Sequence, residues 1–536
     1  MKRIFTLFSA MLMSIASFAT TYNGTLTVTV NGEVSEQHTS VSIDEVNGNY
    51  KLSINNFMLV AGETILPVGN IVIDHVPGAV NGGLTTLCTN QEIQIPAGNV
   101  EGIAEEDWLG PLLGNVPVEM NARFTSEGYV VTDIHINMVD LEQVIDVKFE
   151  NVGTHFQMPN SDFETWSTAN NAPKNWHGFE SVKVKSFLFN SAKSNTKLIS
   201  SSLIRPGSKG VKSAVVTCSK VLGVIANGTM TNGRLYAGNT KPENPENHSE
   251  TNLSSTDKDA NGDPFATPMY AKPDSVKFWM RFTQAQAQAS NPYAAFNAVI
   301  TDGTYYQDPE DKTYTNKVAV AAPKSSSSDM KVGDWRLVSC PFDYASYAAN
   351  GAEAKAILMT FSTNATPGKG SAVTSGFKLV KADSVYVDDL ELVYAAGIKS
   401  ISFKGQALDL ATIQTTGIEL AADEAVSAAD FEVVKEGEDA KVTKLVEATA
   451  DGYVAVITAV SADLKTQVAY EINIKKPAAP VLKGDINGDG VLDVADASAL
   501  IDMVLNSGTC TEVADVNGDG ALDVADVTEL ITLILG

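Results

Sequence analysis

Between residues 20 and 151, apolar and polar side chains alternate in short runs: Thr25-Leu-Thr-Val-Thr-Val30, Lys51-Leu-Ser-Ile54, Ile71-Val-Ile73, Val116 to Phe124, Tyr129 to Met138 and Val144-Ile-Asp-Val-Lys-Phe149. A period of two sends successive side chains to opposite faces of a strand, and the Asn31-Gly32 and Asn47-Gly48 pairs suit tight hairpins. About eight strands in this span predict a small antiparallel up-and-down β-barrel. Such a barrel is either filled by its own side chains or open to a small apolar ligand. Residues 152–395 carry strand patterns such as Ser275-Val-Lys-Phe-Trp-Met-Arg-Phe282 and Trp335-Arg-Leu-Val-Ser339, with polar stretches at 239–268 and 305–330 expected as long loops. Few helical periods interrupt them, so a jelly-roll β-sandwich is expected. Residues 396–478, with Ile398-Lys-Ser-Ile-Ser-Phe403, Phe431-Glu-Val-Val434, Tyr453 to Thr458 and Tyr470 to Ile474, predict an Ig-like β spacer, followed by a Pro-containing linker at 479–482.

The pattern then changes period. Ala497, Leu500, Ile501 and Val504, and again Val527, Leu530, Ile531 and Ile534, recur at i, i+3, i+4, i+7, the stripe of an amphipathic helix. Each helix is preceded by the same acidic twelve-residue loop, Asp485-Ile-Asn-Gly-Asp-Gly-Val-Leu-Asp-Val-Ala-Asp496 and Asp515-Val-Asn-Gly-Asp-Gly-Ala-Leu-Asp-Val-Ala-Asp526, with starts 30 residues apart. A hard cation needs about six to eight oxygens, and a loop of this length offers them from positions 1, 3, 5, 7, 9 and 12. Those positions hold Asp485, Asn487, Asp489, Val491, Asp493 and Asp496, then Asp515, Asn517, Asp519, Ala521, Asp523 and Asp526. Val491 and Ala521 would offer only a backbone carbonyl, and Gly490 and Gly520 fill the sharp turn at position six. The loops end in Asp where an EF-hand ends in Glu, so a tighter loop is expected. Two prolines, Pro477 and Pro480, rule out an entering helix, leaving loop plus exit helix in each unit.

A duplicated loop-helix of this kind over residues 483–536 resembles the type I dockerin module. The resemblance implies two calcium ions and a cohesin-like partner, usually in polysaccharide-degrading systems. Loop positions ten and eleven, Val494-Ala495 and Val524-Ala525, are the candidate partner-binding residues, and their identity in both copies permits two docking orientations. In the barrel segment, Tyr22-Asn-Gly-Thr-Leu and Leu66-Pro-Val-Gly-Asn-Ile-Val resemble the calycin-like, lipocalin-related domain of Bacteroidetes exported proteins. The central unit opens with Asn160-Ser-Asp-Phe-Glu-Thr-Trp166 and closes with Val385-Tyr-Val-Asp-Asp-Leu-Glu-Leu392; it resembles a Bacteroidetes domain family named for carbohydrate metabolism. By analogy with jelly-roll carbohydrate-binding modules, Asp162 or Glu164 could meet Asp388 or Asp389 around one structural calcium. Of the scattered aromatics, the Tyr305-Tyr306 pair is the candidate sugar-stacking surface.

The chain as a whole is mainly β and multidomain. Its net charge of -26 gains -10 from residues 483–536, which hold eleven acidic residues against one lysine, and no basic stripe remains for nucleic acid. Met1-Lys-Arg3, an apolar run to Phe18 and small residues at Ser17 and Ala19 read as a signal peptide over 1–19 with no lipid-anchor cysteine after it, so the protein is expected to be secreted or periplasmic. No further segment is long and apolar enough to span a bilayer. The cysteines, Cys88, Cys218, Cys340 and Cys510, form no C-x-x-C pair; a Cys218–Cys340 disulfide and buried thiols both remain open. No histidine, serine or phosphate-loop motif nominates catalytic residues, which favours a carbohydrate-binding protein over the alternatives, a glycoside hydrolase acting through the sandwich or a small-ligand carrier acting through the barrel.

Overall fold

The computed structural model describes residues 20–536 apart from 62–63, 82, 126–128, 152–155, 168–171, 186–196, 222, 325–326, 376–377 and 478–481. The proposed signal peptide and nearly all of the proposed linker therefore lie outside the described residues. Two compact units divide the chain: residues 1–412 with 427–446 and 455–471, and residues 413–426 with 447–454 and 472–536.

The alternating N-terminal segment forms nine strands: β1 (Thr20–Val30), β2 (Glu33–Val46), β3 (Asn49–Ala61), β4 (Thr64–Val76), β5 (Gly78–Asn81), β6 (Leu84–Ile93), β7 (Val116–Thr125), β8 (Val130–Met138) and β9 (Gln143–Asn151). They build one antiparallel sheet in the order β4-β3-β2-β1-β9-β8-β7-β6-β5. This is one strand more than expected, and the sheet curls without hydrogen bonds joining β4 to β5. Leu26, Val41, Leu52, Ile73, Leu87, Met120 and Phe149 are buried together on its inner face, so side chains fill the interior rather than leaving it open. Arg123 of β7 is buried and donates to Asp133, to the Gln467 side chain and to the Leu464 carbonyl, tying the barrel sheet to the 464–467 segment of the same compact unit.

The central unit is a sandwich. One sheet joins Lys197–Ser201, Ser213–Thr217, Ser384–Val393, Ser275–Thr283 and Gly333–Pro341 in that order. The facing sheet joins Thr229–Thr231, Ala356–Ser362, Ala295–Thr301 and Lys317–Ala321. Strand Ser275–Thr283 alternates without a break: Val276, Phe278, Met280 and Phe282 are fully buried and the residues between them are not. Phe278 meets Phe296 at 4.5 Å and Phe361 at 5.0 Å between ring centroids, and Phe163 meets Trp176 at 5.3 Å. Such ring pairs add about 0.5–1.5 kcal/mol each beyond the area they bury.

The polar stretches expected as loops contain strands. Asn247–Thr251 pairs with Arg234–Ala237 on one side and Tyr306–Asp308 on the other, and with Lys183–Val184 they make a further four-stranded sheet. Cys218 and Cys340 form no disulfide; both thiols are buried, and burial pushes them up to about 12 and about 11. Residues 398–475 add a three-stranded sheet and a four-stranded one.

Candidate metal centre

Each acidic loop ends on the N-terminus of a helix, Val494–Leu505 or Val524–Leu535. Position nine is the N-cap in both: Asp493 accepts from Ala495 N–H and Asp523 from Ala525 N–H, each at 2.7 Å. Position twelve closes a capping box, since Asp496 accepts from Asp493 N–H at 3.0 Å and Asp526 from Asp523 N–H at 2.9 Å. The residues offered to a cation thus also start the helices.

In the first loop Asp485 accepts from the N–H groups of Gly488, Asp489 and Gly490, folding the chain around its carboxylate. Gly490 and Gly520 sit at φ of +83° and +82°, the left-handed region that the turn requires. Asp496 is fully buried and accepts from Ile486 and Asn487 N–H as well. Burial pushes its carboxyl up, but the N–H groups of Asp493, Asn487 and Ile486 outweigh that and hold it below the ordinary value. Oxygens of Asp485, Asp489 and Asp496 lie within 4.8 Å of one another, close enough to share one ion. The second loop repeats the turn, with Gly520 N–H on Asp515 at 3.0 Å and Asn517 N–H on Asp526 at 3.2 Å, but leaves Asp515 Oδ1 buried with no hydrogen-bond partner. An orphaned carboxylate oxygen beside further hard oxygen donors fits a calcium ion, which supplies the missing positive charge. Asn487, Asp489, Asn517 and Asp519 lie exposed along the loops, and Val491 and Ala521 turn their side chains to solvent.

Beneath the loops, Ala497, Leu500, Val527 and Leu530 join Ala514 and Val516 in a small core. Ile501 and Ile531 leave the expected stripe; both are 41% exposed, because a two-helix contact narrows to i, i+3, i+7 and puts i+4 on the rim. Instead they fall in line with Val494 and Leu505, and with Val524 and Leu535, as an exposed apolar strip on each helix. Val494 and Val524 are 72% and 69% exposed, and Ala495 and Ala525 are exposed beside them.

Elsewhere the geometry redirects several expectations. The opening segment of the sandwich does lie on the last strand, through Gln157 to Leu392 and Leu390 N–H to Ser161 O. The carboxylates there have protein partners, except that Asp388 Oδ1 is buried with none. Glu164 accepts from Val211 and Lys212 N–H, Asp162 from Glu164 N–H, Asp388 from Arg205 N–H, and Asp389 pairs with the Arg205 guanidinium. Burial pushes Asp388 up to about 6. Tyr306 is not a surface residue: it is 1% exposed, packed with Tyr314, Val299 and Leu358. Tyr305 is 40% exposed, but its hydroxyl is engaged by Glu250 and Gln307.

The sandwich carries a third copy of the loop's opening residues. Asp259-Ala-Asn-Gly-Asp263 repeats the D-x-N-G-D start of both loops inside the sandwich. There, Asp259 accepts from Asn261 and Asp263 N–H and faces the ring of the fully buried His177 at 3.6 Å, while Asp263 accepts from Asn175 N–H. Burial pushes Asp259 up, yet His177 and those N–H groups outweigh it and hold the carboxyl at about 2.

Residues 18–152 match the family model of the calycin-like beta-barrel domain, and residues 483–535 match that of the dockerin type I domain; the chain carries both modules. No curated protein matches the chain. Among solved structures, a likeness is found to the M60 catalytic domain with the CBM51-1 and CBM51-2 domains of Clostridium perfringens ZmpB, at 12% identity over 86% of this chain and 40% of that one, TM-score 0.15. Another is to the CBM22-1-CBM22-2 tandem domain of Paenibacillus barcinonensis Xyn10C, at 11% identity over 70% of this chain and 97% of that one, TM-score 0.20. Likenesses of this size assign neither fold nor function. Dockerin type I domains bind calcium, and the Asp485, Asp489 and Asp496 cluster fits that chemistry. Among the described residues, no helix is long and apolar enough to cross a membrane.

Proposed function

We propose that this protein is an exported, modular component of polysaccharide utilisation. Its dockerin, loaded with two calcium ions, attaches the chain to a cohesin-like partner, while the β-sandwich binds carbohydrate. The observation that carries the attachment is the duplicated loop whose positions nine and twelve cap the helices that bear the apolar strips. Calcium bound by Asp485, Asn487, Asp489, Asp493 and Asp496, with their counterparts Asp515, Asn517, Asp519, Asp523 and Asp526, would neutralise the loop carboxylates and hold both helix starts in place. Val494, Ala495, Val524 and Ala525 then present small apolar surfaces to the partner. The domain limits proposed above, 20–151, 152–395, 396–478 and 483–536, follow the same reading, as does export through residues 1–19.

The test is calorimetry of the full chain against purified cohesin domains from the secreted proteins of the same organism. Binding in calcium that disappears with chelator is expected. Binding indifferent to calcium, or none to any cohesin, would overturn the attachment reading.

A further inference from the structure

A cavity of about 450 Å³ lies in the sandwich, walled by the sheet that contains Arg234–Ala237, Asn247–Thr251 and Tyr306–Asp308 and floored by the sheet that contains Thr229–Thr231, Ala356–Ser362 and Ala295–Thr301. Its size falls within the roughly 300–1,000 Å³ of small-ligand sites. The floor follows from strand alternation. Phe296, Met359 and Phe361 turn into the core, so their neighbours turn the other way. Register then sets Asn297 opposite Thr360, and Ala295 opposite Ser362, which also pairs with Thr229. The result is a patch of short polar side chains on a sheet face that the second sheet covers.

Two features of this patch are unspent. The Thr360 hydroxyl is buried with no hydrogen-bond partner, a position that costs stability unless something else fills it. Beside it on the floor lies Asn297, whose side chain interacts with the Asp308 carboxyl; burial first, and then Glu310, push that carboxyl above the ordinary value. Apolar walls complete the cavity, among them Val224, Ile225, Leu235 and Pro242, and Tyr236 stacks on His248 at 5.3 Å with 21° between planes. Among the described residues, the lining carries Glu243 and Asp308 but no Lys or Arg. An anionic ligand would therefore meet carboxyls with no cation to pair it. A cationic one would meet an Asp308 whose surroundings favour the neutral acid.

We infer that this cavity takes the end of a neutral glycan, whose hydroxyls bond the Thr360 hydroxyl and the Asn297–Asp308 pair while its C–H faces lie on the apolar walls. This rests on the reading of the sandwich as the carbohydrate-binding unit and adds the place and the charge class.

The experiment is calorimetry of the calcium-loaded full chain with cellopentaose, mannopentaose and xylopentaose, against pentagalacturonate and fully deacetylated chitopentaose. At least one neutral sugar should bind more tightly than both charged ones, and Thr360→Val and Asn297→Ala should each weaken it about tenfold. Thr360→Val should leave the melting temperature unchanged or raised, since it removes an unpartnered hydroxyl; a lower melting temperature with unchanged affinity would make Thr360 structural and overturn the inference. Preference for a charged sugar, or neutral binding that both variants leave intact, overturns the cavity assignment while leaving carbohydrate binding standing. Binding of none of the five would remove the carbohydrate reading and this inference together.

Discussion

The pentapeptide D-x-N-G-D occurs three times, and its two settings differ. At 485–489 and 515–519 it opens a twelve-residue loop whose last carboxylate, Asp496 or Asp526, returns to the same centre and leaves negative charge unbalanced. At 259–263 the same turn, with a backbone N–H of its fifth residue on its first carboxylate, faces the buried His177 ring, and its fifth carboxylate accepts from Asn175 N–H. The turn is local and repeats wherever its five residues do; what faces its carboxylates is decided by the fold. A short acidic motif therefore becomes a metal site only when a distant carboxylate completes it, and becomes a packing element when a histidine does.

The largest expected effect separates the two settings outright. Chelator should abolish the helical circular dichroism of residues 483–536 and all calcium-dependent partner binding, and leave the sandwich and barrel unfolding transitions in place. Helical signal unchanged by chelator would break the contrast. Next, His177→Ala should lower sandwich stability by roughly 3–5 kcal/mol, because it leaves Asp259 buried without its partner, and should leave calcium uptake at two ions per chain. Denaturant unfolding and a calcium titration read both. A smaller effect concerns acid. Asp259 is held at about 2 against an ordinary 3.8, so its contribution is complete above about pH 4 and declines as pH falls toward about 2. Asp259→Asn should flatten sandwich stability across that window, measured by thermal melts from pH 2 to 5. Smallest of all, Val494→Ala should weaken partner binding only a few-fold if Val524 offers the same face, whereas the double variant with Val524→Ala should lose more than the sum of the two.

Legibility in the sequence followed the same division. Barrel strands and calcium loops were readable because their signals are short-range: an Asn-Gly turn, a period of two, carboxylates at positions 1, 5, 9 and 12 of a twelve-residue loop. The cavity was not. Part of its wall comes from residues 239–268 and 305–330, whose polar composition reads as loop, yet Asn247–Thr251 and Tyr306–Asp308 pair across more than fifty residues. That pairing also explains Tyr306, which looks like a surface aromatic beside Tyr305 but begins the strand that pairs with Asn247–Thr251 and packs against Val299, Tyr314 and Leu358. Thr360 and Asn297 carried a faint signal, single polar residues alternating with core aromatics, that means little until the register places them opposite each other. Ile501 and Ile531 erred in the other direction: the helical period was right, and only the narrowness of a two-helix contact put them outside.

Asp493 with Asp496, and Asp523 with Asp526, start a helix with the same side chains that would face a calcium ion, and Leu500 and Leu530 share one core. By mass action, each tenfold rise in free calcium above the binding constant then adds about 1.4 kcal/mol of tail stability per site. If both loops load and both are needed for one core, the ratio of folded to unfolded tail would climb with the square of free calcium. On the proposed reading the tail would act as a gauge: how firmly this chain is held would become a readout of the calcium around it.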